Sequence, residues 1–220
     1  DYYLGIYKTS MATANQVMSI IVNAFSPVIL ATLSRIKNND NEFKNMFYKF
    51  EERISFIVIP LGVGIFVFKD LITRILLGSQ WGEAAPFIGL WGLMRALLIV
   101  FGMFSMEVFV SIGKPKFSVL SQSLNLMILL PVLLLTAPRG YVTLYVARSM
   151  IVLWSVAIEL TLLRNVAGIS PLRIFQVCSP YIIASIFMGG IGYILICTNQ
   201  NIGWQFVSAV ICIIIYMVLI

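Results

Sequence analysis

The chain has 220 residues, of which 60% are hydrophobic and 11% charged, with a formal net charge of +6. Its mean hydropathy is +0.97. A soluble domain is about 45–50% apolar and about 25% charged. A chain this apolar cannot cover its exterior with polar side chains, which excludes a water-soluble globular domain. A disordered chain and a coiled coil are excluded too, since both need far more charge. The class that remains is an all-α, polytopic transmembrane helical bundle with lipid as its main solvent.

A helix needs about 20 mostly apolar residues to cross the bilayer core. Seven segments meet that length: 3–35, 54–77, 84–112, 117–137, 141–163, 174–197 and 203–220. Nearly unbroken apolar runs such as Val58 to Phe68 and Leu124 to Leu135 favour helices over the alternation of a barrel strand.

In the first segment, Lys8, Ala12, Asn15, Ser19, Asn23 and Ser26 recur at steps of three and four and form one small-and-polar stripe. Ile6, Val17, Ile20, Ile21 and Leu30 lie opposite. The cost of polar atoms in lipid predicts that the stripe faces the interior of the helix assembly, toward a water-filled cavity or a polar helix contact. Polar stripes also join helices without touching any substrate.

Lys37 to Glu52 is the one longer connection. Its Phe43, Met46, Phe47 and Phe50 follow helical spacing, which predicts an amphipathic extension at the interface or a cap on the next helix. Pro27, Pro60, Pro131 and Pro180 sit inside the segments and favour kinks. Gly62, Gly64, Gly189, Gly190 and Gly192 are placed to let backbones approach closely.

Charges inside the segments carry the functional expectation. Arg95 lies about 16 Å into the third segment at 1.5 Å per residue, close to the midplane. A cation at that depth is paired, hydrated or ligand-facing. Lys8 and Arg148 lie in the outer halves of their segments, where snorkelling to the surface is open to them. Asp70 falls near an outer end; Glu107 and Glu159 fall near inner ends, too far along to pair easily with Arg95. Ser118, Ser121, Gln122 and Asn125 form a shorter polar stripe in the fourth segment.

The alternate connections divide unevenly in charge. One set holds nine cations: Arg35, Lys37, Lys44, Lys49, Arg53, Lys114, Lys116, Arg164 and Arg173. The other holds three, Lys69, Arg74 and Arg139. The positive-inside rule makes the first set cytoplasmic, with residue 1 outside and residue 220 at the cytoplasmic face.

Cys178, Cys197 and Cys212 lack metal-site spacing, and the chain has no His. No Gly-rich phosphate loop or nucleophile elbow occurs, so the expectation is a non-enzyme without metal or cofactor and without a nucleic-acid partner. The chain opens Asp1-Tyr2-Tyr3 and closes inside an apolar run, which reads as a piece of a longer protein.

Three stretches resemble the MATE-like flippase superfamily, in particular the Wzx-type oligosaccharide flippases of bacterial polysaccharide synthesis. They are Gly5-Ile6-Tyr7-Lys8 with the Pro27-containing helix that follows; Ile75 to Trp81 with Ala84-Ala85-Pro86-Phe87-Ile88; and the turn Ser111-Ile112-Gly113-Lys114-Pro115-Lys116. The resemblance places residues 1–163 in the C-terminal lobe of a two-lobed transporter as five helices, with 164–220 as two additional helices. It implies flipping of an undecaprenyl-pyrophosphate-linked oligosaccharide across the bacterial inner membrane, with a proton or sodium ion as coupling ion and membrane lipids around it. The cavity residues it would use here are Arg95, Lys8, Arg148, Asn15, Ser19, Asn23, Gln122 and Asn125. Arginine forks suit a pyrophosphate, and amides and hydroxyls suit sugars. A lipid II flippase, a MATE-type cation or drug antiporter and a membrane polysaccharide polymerase remain as alternatives.

Overall fold

The computed structural model describes residues 2–199 and 201–220, and its elements are all helical. Helix α1 spans Tyr2–Ile36 and is followed by α2, Asp40–Val67. Only Lys37 to Asn39 link them, so the region 37–52 is not a loop. The reason is local: Asn39 caps α2, its Oδ1 accepting from the Glu42 N–H at 3.3 Å and its Nδ2 donating to the Glu42 carboxylate at 3.2 Å. Asp40 and Glu42 add negative charge at the positive end of the helix dipole.

The amphipathic start of α2 is a cap, not a surface layer. Phe43, Phe47 and Phe50 are buried in the main core with Leu163, Ile169 and Ile174. Tyr48 fastens the same end: its hydroxyl accepts from the Ser170 N–H at 2.9 Å, and the Arg173 guanidinium lies 4.6 Å from its ring centroid.

The segment expected as one span over 54–77 is broken. After Phe68 the chain turns by 86° into a short helix α3, Lys69–Leu76. Lys69, Asp70 and Arg74 put three charges into eight residues, a density that hydrocarbon does not tolerate. Among the described residues, six helices are long and apolar enough to cross a membrane, or seven if the bent pair counts as one span. The break carries no proline, whereas Pro27, Pro60, Pro131 and Pro180 all sit within uninterrupted helices.

Gly78 at φ +96° then leads into a 3-10 turn, Ser79–Ala84, and helix α4, Ala85–Leu98. A π-helical segment, Ile99–Met103, joins α4 to α5, Ser105–Ser111. Together Ser79–Ser111 form the most enclosed span. Helices α1, α2 and α7 pack on it. The chain continues through α6 (Lys116–Thr136), α7 (Tyr141–Ala167), α8 (Pro171–Thr198) and α9 (Ile202–Leu219). Helix α6 lies on α7, α8 on α2, and α9 on α8.

The α2–α4 crossing depends on two glycines. A Cβ on Gly62 would fall 2.3 Å from the Ala96 Cβ, and one on Gly92 would fall 2.4 Å from the Ile65 Cγ2. Gly189 and Gly192 are likewise tight against Val63 and Cys212, but Gly64 and Gly190 face open space. Of the cysteines, Cys178 and Cys212 are buried and Cys197 is exposed.

Candidate functional site

Helical spacing gathers several polar side chains into a largely apolar cavity of about 280 Å³ between α4, the π-helical segment, α5, α6 and α7. Arg148, Ser155 and Glu159 share one face of α7 at steps of seven and four. Gln122 and Asn125 come from successive turns of α6, and Arg95 from α4. Arg95 stands midway along the Ser79–Ser111 span, as its depth in the sequence predicted. Its Nε is buried without a hydrogen-bond partner, as is the Oδ1 of Asn125. Gln122 is more open, with its Nε2 3.7 Å from the Met106 sulfur.

Arg148 is held from two sides. Its guanidinium lies 4.7 Å from the Trp91 ring centroid, and its side chain hydrogen-bonds the Tyr7 phenol. Trp91, 3% exposed, donates its Nε1–H to the Asn15 Oδ1 at 3.1 Å. Tyr7 stacks on Phe87 with centroids 5.2 Å apart, and Phe87 stacks on Tyr145 at 5.3 Å. This aromatic packing fixes Arg148 before any ligand arrives. A preset guanidinium loses little freedom on binding an anion.

Glu159 forms the other end of the cavity. One carboxyl oxygen lies 2.5 Å from the Ser105 hydroxyl, and the other is hydrogen-bonded to the Ser121 hydroxyl. Gly102 in the π-helical segment leaves room for it: a Cβ there would lie 3.1 Å from the Glu159 Cγ. π-Helical turns inside spans frequently accompany functional sites.

The structure thus brings Arg95, Arg148, Gln122 and Asn125 together and ties Asn15 to them through Trp91. It does not bring in Lys8, Ser19 or Asn23. Lys8 and Asn23 are exposed, and Ser19 is half-buried with its hydroxyl donating to the Gln16 carbonyl at 2.8 Å. The buried face of α1 is instead Ile6, Ser10, Ala14, Met18, Val22, Ile29 and Leu33. The polar stripe lies outside that face, so the expectation that it points into this helix assembly is corrected for Lys8 and Asn23. Ser26 turns to α5 and hydrogen-bonds the Glu107 carboxylate.

Trp91, Tyr7 and Glu159 were not among the expected cavity residues. Glu159 shares the face of Arg148 at eleven residues, a readable spacing; it lines the same cavity as Arg95, while its carboxyl is hydrogen-bonded to Ser105 and Ser121. Tyr7 enters the sequence reading only within the stretch Gly5-Ile6-Tyr7-Lys8 and Trp91 not at all; nothing in their spacing marks a contact with Arg148.

The fold and cavity define a multi-pass helical membrane protein with a basic internal site. Residues 1–86 match a family model described as "Polysaccharide biosynthesis protein". That match takes in α1 to α3 and the opening of α4; Arg95, Arg148 and Glu159 lie beyond it. No curated protein and no solved structure matches the chain.

Proposed function

We propose that the chain acts in a transporter that flips an undecaprenyl-pyrophosphate-linked oligosaccharide across the bacterial inner membrane for polysaccharide synthesis, without making or breaking a bond. The observation that carries this reading is the convergence of Arg95 and Arg148 in one cavity at mid-span, with the Arg95 Nε left without a partner. Two guanidiniums facing one carboxyl leave the site basic, which suits a pyrophosphate. Asn125 and Gln122 supply the amides that sugar hydroxyls need. The match of residues 1–86 to polysaccharide biosynthesis proteins supports the same reading, as do the three stretches that resemble Wzx-type flippases. A cation or drug antiporter fits less well, because its ligand would meet two arginines.

The test is complementation in the native host with the full-length protein. Arg95→Ala should abolish polysaccharide export while membrane abundance stays at the wild-type level. Arg95→Lys should keep part of the activity, since the charge survives and the planar fork is lost. Normal export by Arg95→Ala would sink the assignment.

A further inference from the structure

Pro60 has no N–H, so the Phe56 carbonyl four residues before it loses its regular helical donor, and the proline ring presses that carbonyl outward. Hydrocarbon offers no replacement. A carbonyl freed inside a span is re-satisfied by side chains, neighbouring helices or ordered water. Two of the in-helix prolines show two different solutions. At Pro180 the helix mends itself, because the Ser179 hydroxyl donates to the Gln176 carbonyl at 2.8 Å. At Pro60 the donor comes from another helix: the Tyr216 hydroxyl of α9 donates to the Phe56 carbonyl at 2.7 Å.

We infer that the Tyr216 hydroxyl and the proline-freed Phe56 carbonyl form a latch that fastens α9 to α2, and that its release lets α9 swing away on α8. The space between the helices supports this. An apolar groove of about 450 Å³ separates α2 from α9, with Pro60 and Gly64 on one wall and Ile213 and Met217 on the other. Gly64 has nothing within 4 Å of where its Cβ would stand, so α2 does not grip α9 there. The firm seat of α9 is α8. A Cβ on Gly192 would fall 2.9 Å from the Cys212 Sγ, and the Cys212 thiol lies 3.7 Å from the Met188 carbonyl. Tyr216, 4% exposed, is the side chain of α9 that spans the gap by a hydrogen bond. Its ring lies beside Phe56 with centroids 5.9 Å apart, and Phe56 stands edge-on to Tyr181 of α8 at 6.0 Å. These ring contacts are non-directional and leave α9 free to slide. The hydrogen bond fixes one position. Opening it bares a carbonyl without a helical partner, which keeps the latch shut at rest. Its loss should shift the balance toward the open position on the order of tenfold. The latch stands or falls independently of the flippase reading.

Two measurements on the purified full-length protein, with its cysteines replaced, test it. The first places spin labels at Arg53 and Val218, both exposed and each within a turn of the latch. The distance distribution between them should be narrow with Tyr216 present and should broaden toward longer distances with Tyr216→Phe, which keeps the ring and removes only the hydroxyl. Tyr193→Phe, at an exposed position of α8, should change nothing. An unchanged distribution with Tyr216→Phe overturns the latch, and this result is decisive even if Pro60→Ala does not fold. The second measurement is a thermal double-mutant cycle. Tyr216→Phe should lower the unfolding midpoint by a few degrees when Pro60 is present. In a Pro60→Ala background the new N–H takes the Phe56 carbonyl, so the same substitution should cost little. Equal losses in both backgrounds would show that the tyrosine does not serve the proline-freed carbonyl and would refute the assignment.

Discussion

The Trp91 indole joins α1 and α7: its Nε1–H reaches the Asn15 Oδ1 at 3.1 Å, while its ring carries the Arg148 guanidinium at 4.7 Å. One side chain of α4 thus links α1 to α7. A hydrogen bond of this kind is worth about 0.5–1.5 kcal/mol net, and a desolvated cation–π contact about 2 kcal/mol. Trp91→Phe keeps the ring and removes the donor, leaving the Asn15 amide unpaired. Polysaccharide export by the full-length protein should fall severalfold with Trp91→Phe and further with Trp91→Ala, at unchanged membrane abundance. Equal export by both variants would show that Arg148 needs no such support.

The charge asymmetry sets the second prediction. In a background with Cys178, Cys197 and Cys212 replaced, a membrane-impermeant thiol reagent added from outside should label a Cys placed at Ser79 and spare one placed at Asn39. The reverse labelling would invert the topology.

Close approach at the α2–α4 crossing sets the third. Gly62→Val should force the backbones apart and cost about 1–3 kcal/mol, as overpacking does. Gly64 faces open space, so Gly64→Ala should leave stability nearly unchanged. Thermal unfolding of the two purified variants in one detergent checks the pair; similar midpoints would contradict the crossing.

The phenylalanines at the start of α2 give the fourth. Phe47 is 1% exposed, and Phe47→Ala should cost about 3–5 kcal/mol. Lys49 on the same turn is exposed, and Lys49→Ala should be close to neutral. The difference in resistance to protease cleavage within 37–52 reads this directly: a surface loop would be cut readily in both variants, whereas a docked cap is opened only by Phe47→Ala.

The class of protein and six of the seven expected spans followed from the sequence alone, because the bilayer imposes one length and one polarity on every spanning helix. The mid-span depth of Arg95 followed for the same reason, being a count of residues at a constant rise. Spacing of three and four also made Gln122 with Asn125, and Arg148 with Glu159, into shared faces. Which face turns inward was a different matter. On α1 the conspicuous polar stripe lost to Ile6, Ala14, Met18 and Ile29, since neighbouring helices bury the face they fit, and no pattern within one helix states where its neighbours stand. The break at Phe68 was likewise hidden in an apolar run, and only packing of α3 and α4 against α2 revealed where the charges of Lys69 to Arg74 leave the span. The contacts that define the site, Trp91 with Asn15 and Arg148, and Glu159 with Ser105 and Ser121, join residues 38 to 76 positions apart. Such pairings are decided by how helices cross, a property of the assembled bundle that no local stretch of sequence contains.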